Sequence, residues 1–167
     1  MGIIMNMKQK KYEKDSDIQN LIKYIAGKGS NKKREKVFCV GSKGISKEPA
    51  KAIEQVINMQ RLLGKNEGRR AYHMIISFPE NVSNLSAVKA AGKAVAEAIY
   101  EEGYLVYYGI HTSTDNLHIH FAIGAVNYLS GKKWHRNKME FAAFKGNVVG
   151  CVRKKLEENG YGGVEFI

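Results

Sequence analysis

Residues 117–126 alternate between large apolar side chains and small or polar ones, which is the pattern of a β-strand that buries one face. The apolar side of this strand carries Leu117, Ile119, Phe121 and Ile123. A second run of strand-forming residues spans 104–111, and the polar segment 112–116 joins the two runs. We therefore predict an antiparallel β-hairpin, which commits the chain to a sheet with a buried apolar face.

The remaining segments predict three further strands and four helices around this hairpin. The strands are expected at 3–7, 37–40 and 71–78, and the helices at 16–26, 46–63, 85–100 and 138–158. Ser16 and Ser46 are the expected helix starts. These elements do not alternate regularly enough for a doubly wound parallel sheet. The predicted fold class is therefore α+β, with a central antiparallel sheet and helices packed on one of its faces.

The composition is that of a soluble globular protein of 167 residues, with 44% hydrophobic and 26% charged residues. This length fits one domain over residues 1–167. Two cysteines are too few for a disulfide scaffold, which favours a reduced, cytoplasmic location. No apolar run approaches about 18 residues, and the first residues lack an apolar signal segment. The chain is therefore expected to have no membrane segment of its own.

The chain is basic, with 27 lysine and arginine residues against 16 aspartate and glutamate residues, and a formal net charge of +11. Residues 1–50 hold 12 basic and 5 acidic side chains, and residues 131–167 hold 8 and 4. Residues 81–130 hold 2 basic and 4 acidic side chains. Two basic ends suit a polyanion such as nucleic acid, although the same charge also serves solubility.

Three of the five histidines lie in the hairpin. His118 and His120 are two residues apart in a strand, so both side chains point to one face. Ala122 and Gly124 follow on that face and leave room beside the imidazoles. His111 ends the preceding strand and is expected to lie across the hairpin from the other two histidines. The hairpin therefore brings three imidazoles together on one side of the sheet.

Three histidines without a fourth protein ligand suit a divalent metal ion with open coordination positions. Phosphate oxygens can occupy those positions, so that the ion acts as a Lewis acid and a template. Asp115, in the turn between the ligands, is expected to orient one of the imidazoles. The alternative is a set of ordinary surface or core histidines, and the regular apolar pattern on the opposite face argues against it.

The segment 111–127 resembles the third motif of plasmid and conjugative-element relaxases, the mobilisation nucleases of the His-hydrophobic-His (HUH) endonuclease superfamily. The similarity covers the three histidines, Asp115 and the closing Asn127. Residues 17–27 are similar to the first motif of these relaxases, which carries the nucleophilic tyrosine. Residues 68–80 are similar to the second motif, and residues 131–135 are similar to the basic segment that follows the third. Together these segments extend the resemblance over nearly the whole chain.

The resemblance implies a metal-dependent relaxase, which nicks and rejoins one DNA strand at an origin of transfer. Tyr24 would be the nucleophile, giving a 5′-phosphotyrosyl intermediate and a free 3′-hydroxyl. His111, His118 and His120 would hold the metal ion, with Mg²⁺ or Mn²⁺ expected and Zn²⁺ as a further option. Independently of the resemblance, Glu80 follows the strand 71–78 and is expected to act as a base or to position a ligand, with a solvated loop residue as the alternative. The implied partners are single-stranded DNA and accessory relaxosome proteins. Relaxases are usually larger, so the chain is expected to be a minimal relaxase or the N-terminal domain of a longer one.

Basic residues near these motifs are the predicted DNA contacts. Arg69 and Arg70 lie beside the second motif, where guanidinium groups would hold phosphates. Trp134 lies among cations and is expected to stack on a base or to pack beneath its own loop. His73 and His135 are expected to contact DNA or to lie at the surface, and not to bind the metal. The other predicted contacts are Lys28, Lys32, Lys33, Arg34, Lys132, Lys133 and Arg136, with a solvated surface as the alternative.

Three alternatives stay open at the level of the sequence. Tyr12, in the basic segment before the first helix, is the main rival of Tyr24 as the nucleophile. A rolling-circle replication initiator or transposase of the same superfamily usually has its tyrosine after the histidines, as Tyr161 is placed here. The third alternative is a module that binds single-stranded nucleic acid without cutting it.

Overall fold

The computed structural model describes residues 2–29 and 36–167, and these contain five β-strands and four α-helices. In chain order the elements are β1 (Ile4–Met7), α1 (Asp15–Ile25), β2 (Val37–Lys43), α2 (Pro49–Leu62), β3 (Ala71–Ser77), α3 (Leu85–Glu101), β4 (Tyr104–His111), β5 (His118–Asn127) and α4 (Lys138–Glu158). Each strand and helix expected from the sequence is present. None of the helices in the described ranges is long and apolar enough to cross a membrane.

The strands form one antiparallel sheet in the order β1-β3-β5-β4-β2. The central strand is β5, which is hydrogen-bonded to β3 on one side and to β4 on the other. The predicted hairpin is therefore the middle of the sheet, and it places His111 directly opposite His118. The α+β fold class and the antiparallel sheet are confirmed.

Helices cover both faces of this sheet. On one face, which we call the α3–α4 face, Ile119 and Phe121 of β5 belong to the same core as α3 and α4. On the other, the α1–α2 face, Tyr107 and Ala122 pack with α1 and α2. The prediction of helices on one face only is therefore wrong. All eight residues of β4 are buried, so this strand has no solvent side, as expected when both faces are covered.

Two helices begin at residues other than the predicted serines. The helix α1 starts at Asp15 and not at a cap formed by Ser16. The helix α2 starts at Pro49. Proline suits the first turn of a helix, because the backbone N–H that it lacks would have no partner within the helix there. Ser46 lies upstream of α2, where its hydroxyl accepts a hydrogen bond from the backbone N–H of Glu48 at 3.0 Å. Both starts thus differ from the prediction by a fraction of a turn.

Candidate metal and nucleophile site

Three histidines converge on the α1–α2 face where β4 ends and β5 begins. His111 lies opposite His118, and His120 lies opposite Gly109 in the same pair of strands. One ring nitrogen of each imidazole lies within 4.8 Å of the corresponding nitrogens of the other two. The ring centroids of His111 and His120 are 4.2 Å apart. The predicted convergence of the three imidazoles is confirmed, and the register of the hairpin is its cause.

Backbone carbonyls orient two of these imidazoles. His111 donates from Nε2 to the carbonyl oxygen of Ile25, at the end of α1, over 3.0 Å. His118 donates from Nδ1 to the carbonyl oxygen of Asn116, also over 3.0 Å. Because a carbonyl oxygen only accepts, each bond places the ring proton on the donating nitrogen and the lone pair on the other. Both rings are therefore held in a tautomer that can bind a metal ion.

The third imidazole, that of His120, is oriented by another histidine. Its Nδ1 lies 2.8 Å from Nε2 of His73. Its Nε2 is buried and has no hydrogen-bond partner among the described residues. A buried polar atom without a partner is costly, and a metal ion would supply the missing interaction. Burial and the neighbouring histidines lower the pKa of His120 to about 2, so the ring is neutral and able to act as a ligand at pH 7.

The partner of His120 is a buried residue of β3. His73 lies on the α1–α2 face, opposite Ala122 of β5, and its Nδ1 is 3.2 Å from the hydroxyl oxygen of Tyr12. Burial and the nearby charge of Lys8 lower the pKa of His73 to about 4. The expectation that His73 contacts DNA or lies at the surface is wrong. It lies behind the three histidines that converge and is not one of them.

The last turn of α1 places Tyr24 over two of the three histidines, His111 and His120. Its half-buried ring has its centroid 5.4 Å from that of His111 and 5.3 Å from that of His120, with both contacts edge-on. Tyr12, the rival nucleophile, is buried, and its hydroxyl is engaged with His73. Of the two tyrosines, Tyr24 is therefore the one whose ring lies against two of the converging histidines.

Gly109 determines how closely α1 approaches the sheet. A Cβ atom at this position would lie 2.5 Å from the carbonyl oxygen of Ile25 and 3.0 Å from its Cγ2. Only glycine leaves room for that carbonyl, which is the one that accepts the hydrogen bond from His111. A single turn of helix therefore supplies both Tyr24 and the anchor of His111.

The two predicted acidic groups lie at the surface. Asp115 is exposed in the turn between β4 and β5, and Glu80 is exposed in the turn after β3. The orienting role expected of Asp115 is filled by two backbone carbonyls and by His73. Nothing in the sequence marks a backbone carbonyl as the partner of an imidazole, which is why these groups were not predicted. A catalytic role for Glu80 or Asp115 stays a prediction.

Two of the predicted DNA contacts are buried. Arg70 is 3% exposed, pairs with Asp15 at 2.5 Å and donates from Nε to the side-chain oxygen of Gln60 at 2.9 Å. Trp134 is also buried, with its ring centroid 4.8 Å from that of Tyr72. Buried side chains do not reach a DNA phosphate or base, so the structure contradicts both expected contacts. Trp134 follows its alternative and packs beneath its loop.

The other predicted contacts differ in their accessibility. Arg69 and Arg136 are half-buried, and the guanidinium of each lies over an aromatic ring. The Cζ atom of Arg69 is 4.5 Å from the centroid of the Tyr72 ring, and that of Arg136 is 4.2 Å from the centroid of the Trp134 ring. Arg136 also pairs with Glu102, which neutralises its charge. Of the remaining predicted contacts, Lys28, Lys132 and His135 are exposed and Lys133 is half-buried. Lys32, Lys33 and Arg34 lie outside the described residues.

Comparison with known protein families matches residues 24–148 to the nuclease domain of MobA/VirD2-like relaxases. The chain belongs to this family. The matched segment begins at Tyr24 and includes the three histidines that converge on the sheet. As a relaxase nuclease domain, the chain is a DNA-nicking enzyme of mobilisation.

A solved structure shares the fold of this relaxase domain. It comes from work on the molecular basis of vancomycin resistance transfer in Staphylococcus aureus, and it superposes with a TM-score of 0.64. The match covers 100% of this chain and 98% of that chain. The two sequences are 18% identical, so the likeness concerns the fold. A search of the curated proteins found no match.

Proposed function

We propose that this relaxase domain cuts one DNA strand by transesterification, with the hydroxyl of Tyr24 as the nucleophile. The observation that carries the proposal is the position of the Tyr24 ring, edge-on over His111 and His120. The tyrosine oxygen bonds to the scissile phosphorus and gives up its proton, while the bond from phosphorus to the 3′ oxygen breaks. The 3′ oxygen takes up a proton and leaves as a hydroxyl.

The product of this step is a 5′-phosphotyrosyl link. One phosphate ester replaces another, so the energy of the broken bond is retained in the link. Attack by a 3′-hydroxyl on the link therefore rejoins the strand without ATP. This property suits an enzyme that must reseal the DNA after transfer.

We further propose that His111, His118 and His120 hold a divalent ion, Mg²⁺ or Mn²⁺. The donor set supports this proposal, with three imidazoles whose nitrogens converge and with the buried Nε2 of His120 left without a hydrogen bond in the described ranges. When bound, the ion would polarise the scissile phosphate and offset the charge that develops on it. The contribution of the chain is to hold the imidazoles and the tyrosine ring in place before the substrate arrives.

The proposed substrate is single-stranded DNA at an origin of transfer. Lys28 and Lys132 are exposed and suit contacts with its phosphates, in keeping with the formal net charge of +11. Accessory relaxosome proteins and a cytoplasmic location remain part of the proposal.

Covalent trapping tests the role of Tyr24. The protein is incubated with Mn²⁺ and a panel of single-stranded origin-of-transfer oligonucleotides, and the products are separated under denaturing conditions. We expect a protein–DNA adduct with the wild type and none with Tyr24→Phe. Tyr161→Phe is the matched control, because Tyr161 packs against the core of the α3–α4 face and accepts a hydrogen bond from the backbone N–H of Asn84.

The outcomes separate the alternatives. An adduct that is lost in Tyr161→Phe and kept in Tyr24→Phe would instead support the order of a replication initiator or transposase. DNA binding without any adduct, in protein that has bound Mn²⁺, would contradict the proposal and leave a binding module.

A further inference from the structure

Three buried side chains form a hydrogen-bonded chain that leads away from the metal-facing nitrogen of His120. Nδ1 of His120 lies 2.8 Å from Nε2 of His73, and Nδ1 of His73 lies 3.2 Å from the hydroxyl oxygen of Tyr12. The exposed fractions of His120, His73 and Tyr12 are 3%, 6% and 8%. Water is excluded from all three, so an unmade hydrogen bond in this chain is costly.

This chain admits two arrangements of its protons. In the first, His120 donates from Nδ1 to His73, and His73 donates from its own Nδ1 to the oxygen of Tyr12. In the second, Tyr12 donates to His73, and His73 donates to Nδ1 of His120. The first arrangement leaves a lone pair on Nε2 of His120, whereas the second places a proton there. Only the first is compatible with a metal ion on Nε2.

The other two histidines have no such choice. His111 and His118 each donate to a backbone carbonyl, which only accepts. The ligand form of His120 depends instead on a side chain that can donate or accept.

We propose that His73 is a positioning residue that, together with Tyr12, selects the ligand form of His120 and so sets the affinity of the metal site. The proposal rests on the metal-binding part of the proposed function. Tyr12 has φ 52° and is the only non-glycine residue with positive φ in the ranges that the structure describes. This conformation is unfavourable for residues with a side chain, and such strain collects at functional sites. The ring of Tyr12 lies edge-on to the ring of His73, with the two ring centroids 6.3 Å apart.

Calorimetric titration with Mn²⁺ in the absence of DNA measures the effect. His73→Phe removes the acceptor and keeps a ring of similar size, and we expect about 10- to 100-fold weaker binding, as for other partners of metal-bound histidines. His73→Gln offers a side-chain oxygen that accepts, so most of the affinity should return. Tyr12→Phe leaves the N–H of His73 without an acceptor and should weaken binding less than His73→Phe does. His135→Phe, an exposed histidine, is the matched control and should bind Mn²⁺ like the wild type.

Nitrogen-15 spectra of the Zn²⁺-loaded protein give a readout that a purely structural role would not change. His120 is expected to carry its proton on Nδ1 and the metal on Nε2, in the wild type and in His73→Gln. A folded His73→Phe variant that binds Mn²⁺ within twofold of the wild type would overturn the proposal, as would a metal on Nδ1 of His120. A wild type that binds neither Mn²⁺ nor Zn²⁺ would overturn the metal site itself, and this result is distinct from the first two.

Discussion

One added methyl group at Gly109 tests how closely α1 must approach the sheet. In Gly109→Ala the new Cβ would lie 2.5 Å from the carbonyl oxygen of Ile25 and 3.0 Å from its Cγ2. Carbon–oxygen contacts are rarely closer than about 3.3 Å, so the end of α1 must move away by about 0.8 Å. The nearest atom belongs to the backbone, and a change of rotamer cannot relieve the contact.

This displacement acts on the site through two groups. It lengthens the hydrogen bond from His111 to Ile25, which is 3.0 Å in the native structure, and it lifts the Tyr24 ring from the imidazoles. A misplacement of about 1 Å can cost on the order of 100-fold in rate, and overpacking typically destabilises a protein by about 1–3 kcal/mol. We therefore expect Gly109→Ala to fold and to nick DNA about 10- to 100-fold more slowly.

Single-turnover nicking of an oligonucleotide, measured with thermal unfolding of the same samples, checks this expectation. Gly124→Ala is the matched control, since Gly124 lies on the same face of the sheet and its Cβ would meet Leu105 atoms at 3.6 and 3.8 Å, which is ordinary contact. That variant should cut at the wild-type rate. The reasoning is refuted if Gly109→Ala also cuts at the wild-type rate, or if the two variants lose equal activity.

Other substitutions separate the roles of ligands, buried charges and surface lysines. His118→Ala should abolish both metal binding and nicking. Its affinity for single-stranded DNA in a gel-shift assay should be nearly unchanged. An equal loss of nicking and of DNA affinity would argue against a role of His118 as a metal ligand. Arg70→Ala should lower the free energy of unfolding in urea by about 1–3 kcal/mol, because it leaves the buried side-chain oxygen of Gln60 without its hydrogen-bond donor. A stable variant with weakened DNA binding would show instead that Arg70 contacts DNA. The logarithm of DNA affinity should fall linearly with the logarithm of salt concentration, and Lys28→Ala and Lys132→Ala should each reduce the slope by about 0.7 in fluorescence anisotropy titrations. Unchanged slopes in both variants would show that these lysines do not contact phosphates.

The three converging histidines are predictable from the sequence because their geometry depends on local rules. His118 and His120 share a face through the two-residue period of a strand, and a short polar turn brings His111 opposite them. Tyr24 is predictable only through the resemblance to a relaxase motif. Helical periodicity places it at the edge of the buried stripe of α1 but does not show what that edge faces.

The residues that escaped prediction depend on contacts between distant segments. The role of His73 requires β3 to lie beside β5, and its partner Tyr12 is 61 residues earlier in the chain. Arg70 is a surface cation by residue type, and only the fold brings it to Asp15. The second helical layer escaped prediction because the alternation in residues 117–126 indicates only one buried face of the sheet. Apolar alternation identifies a buried face but does not exclude that the other face is buried as well.

The direction of α1 has an electrostatic consequence for the order of binding. The last carbonyl of this helix, that of Ile25, faces His111, and the C-terminal end of a helix dipole carries a partial negative charge of about half a unit. Such a field attracts a cation and repels a phosphate. In the metal-free protein the helix therefore disfavours the scissile phosphate at the place where Tyr24 would attack it. A bound divalent ion reverses the local sign, so we expect the metal to bind before the scissile phosphate does.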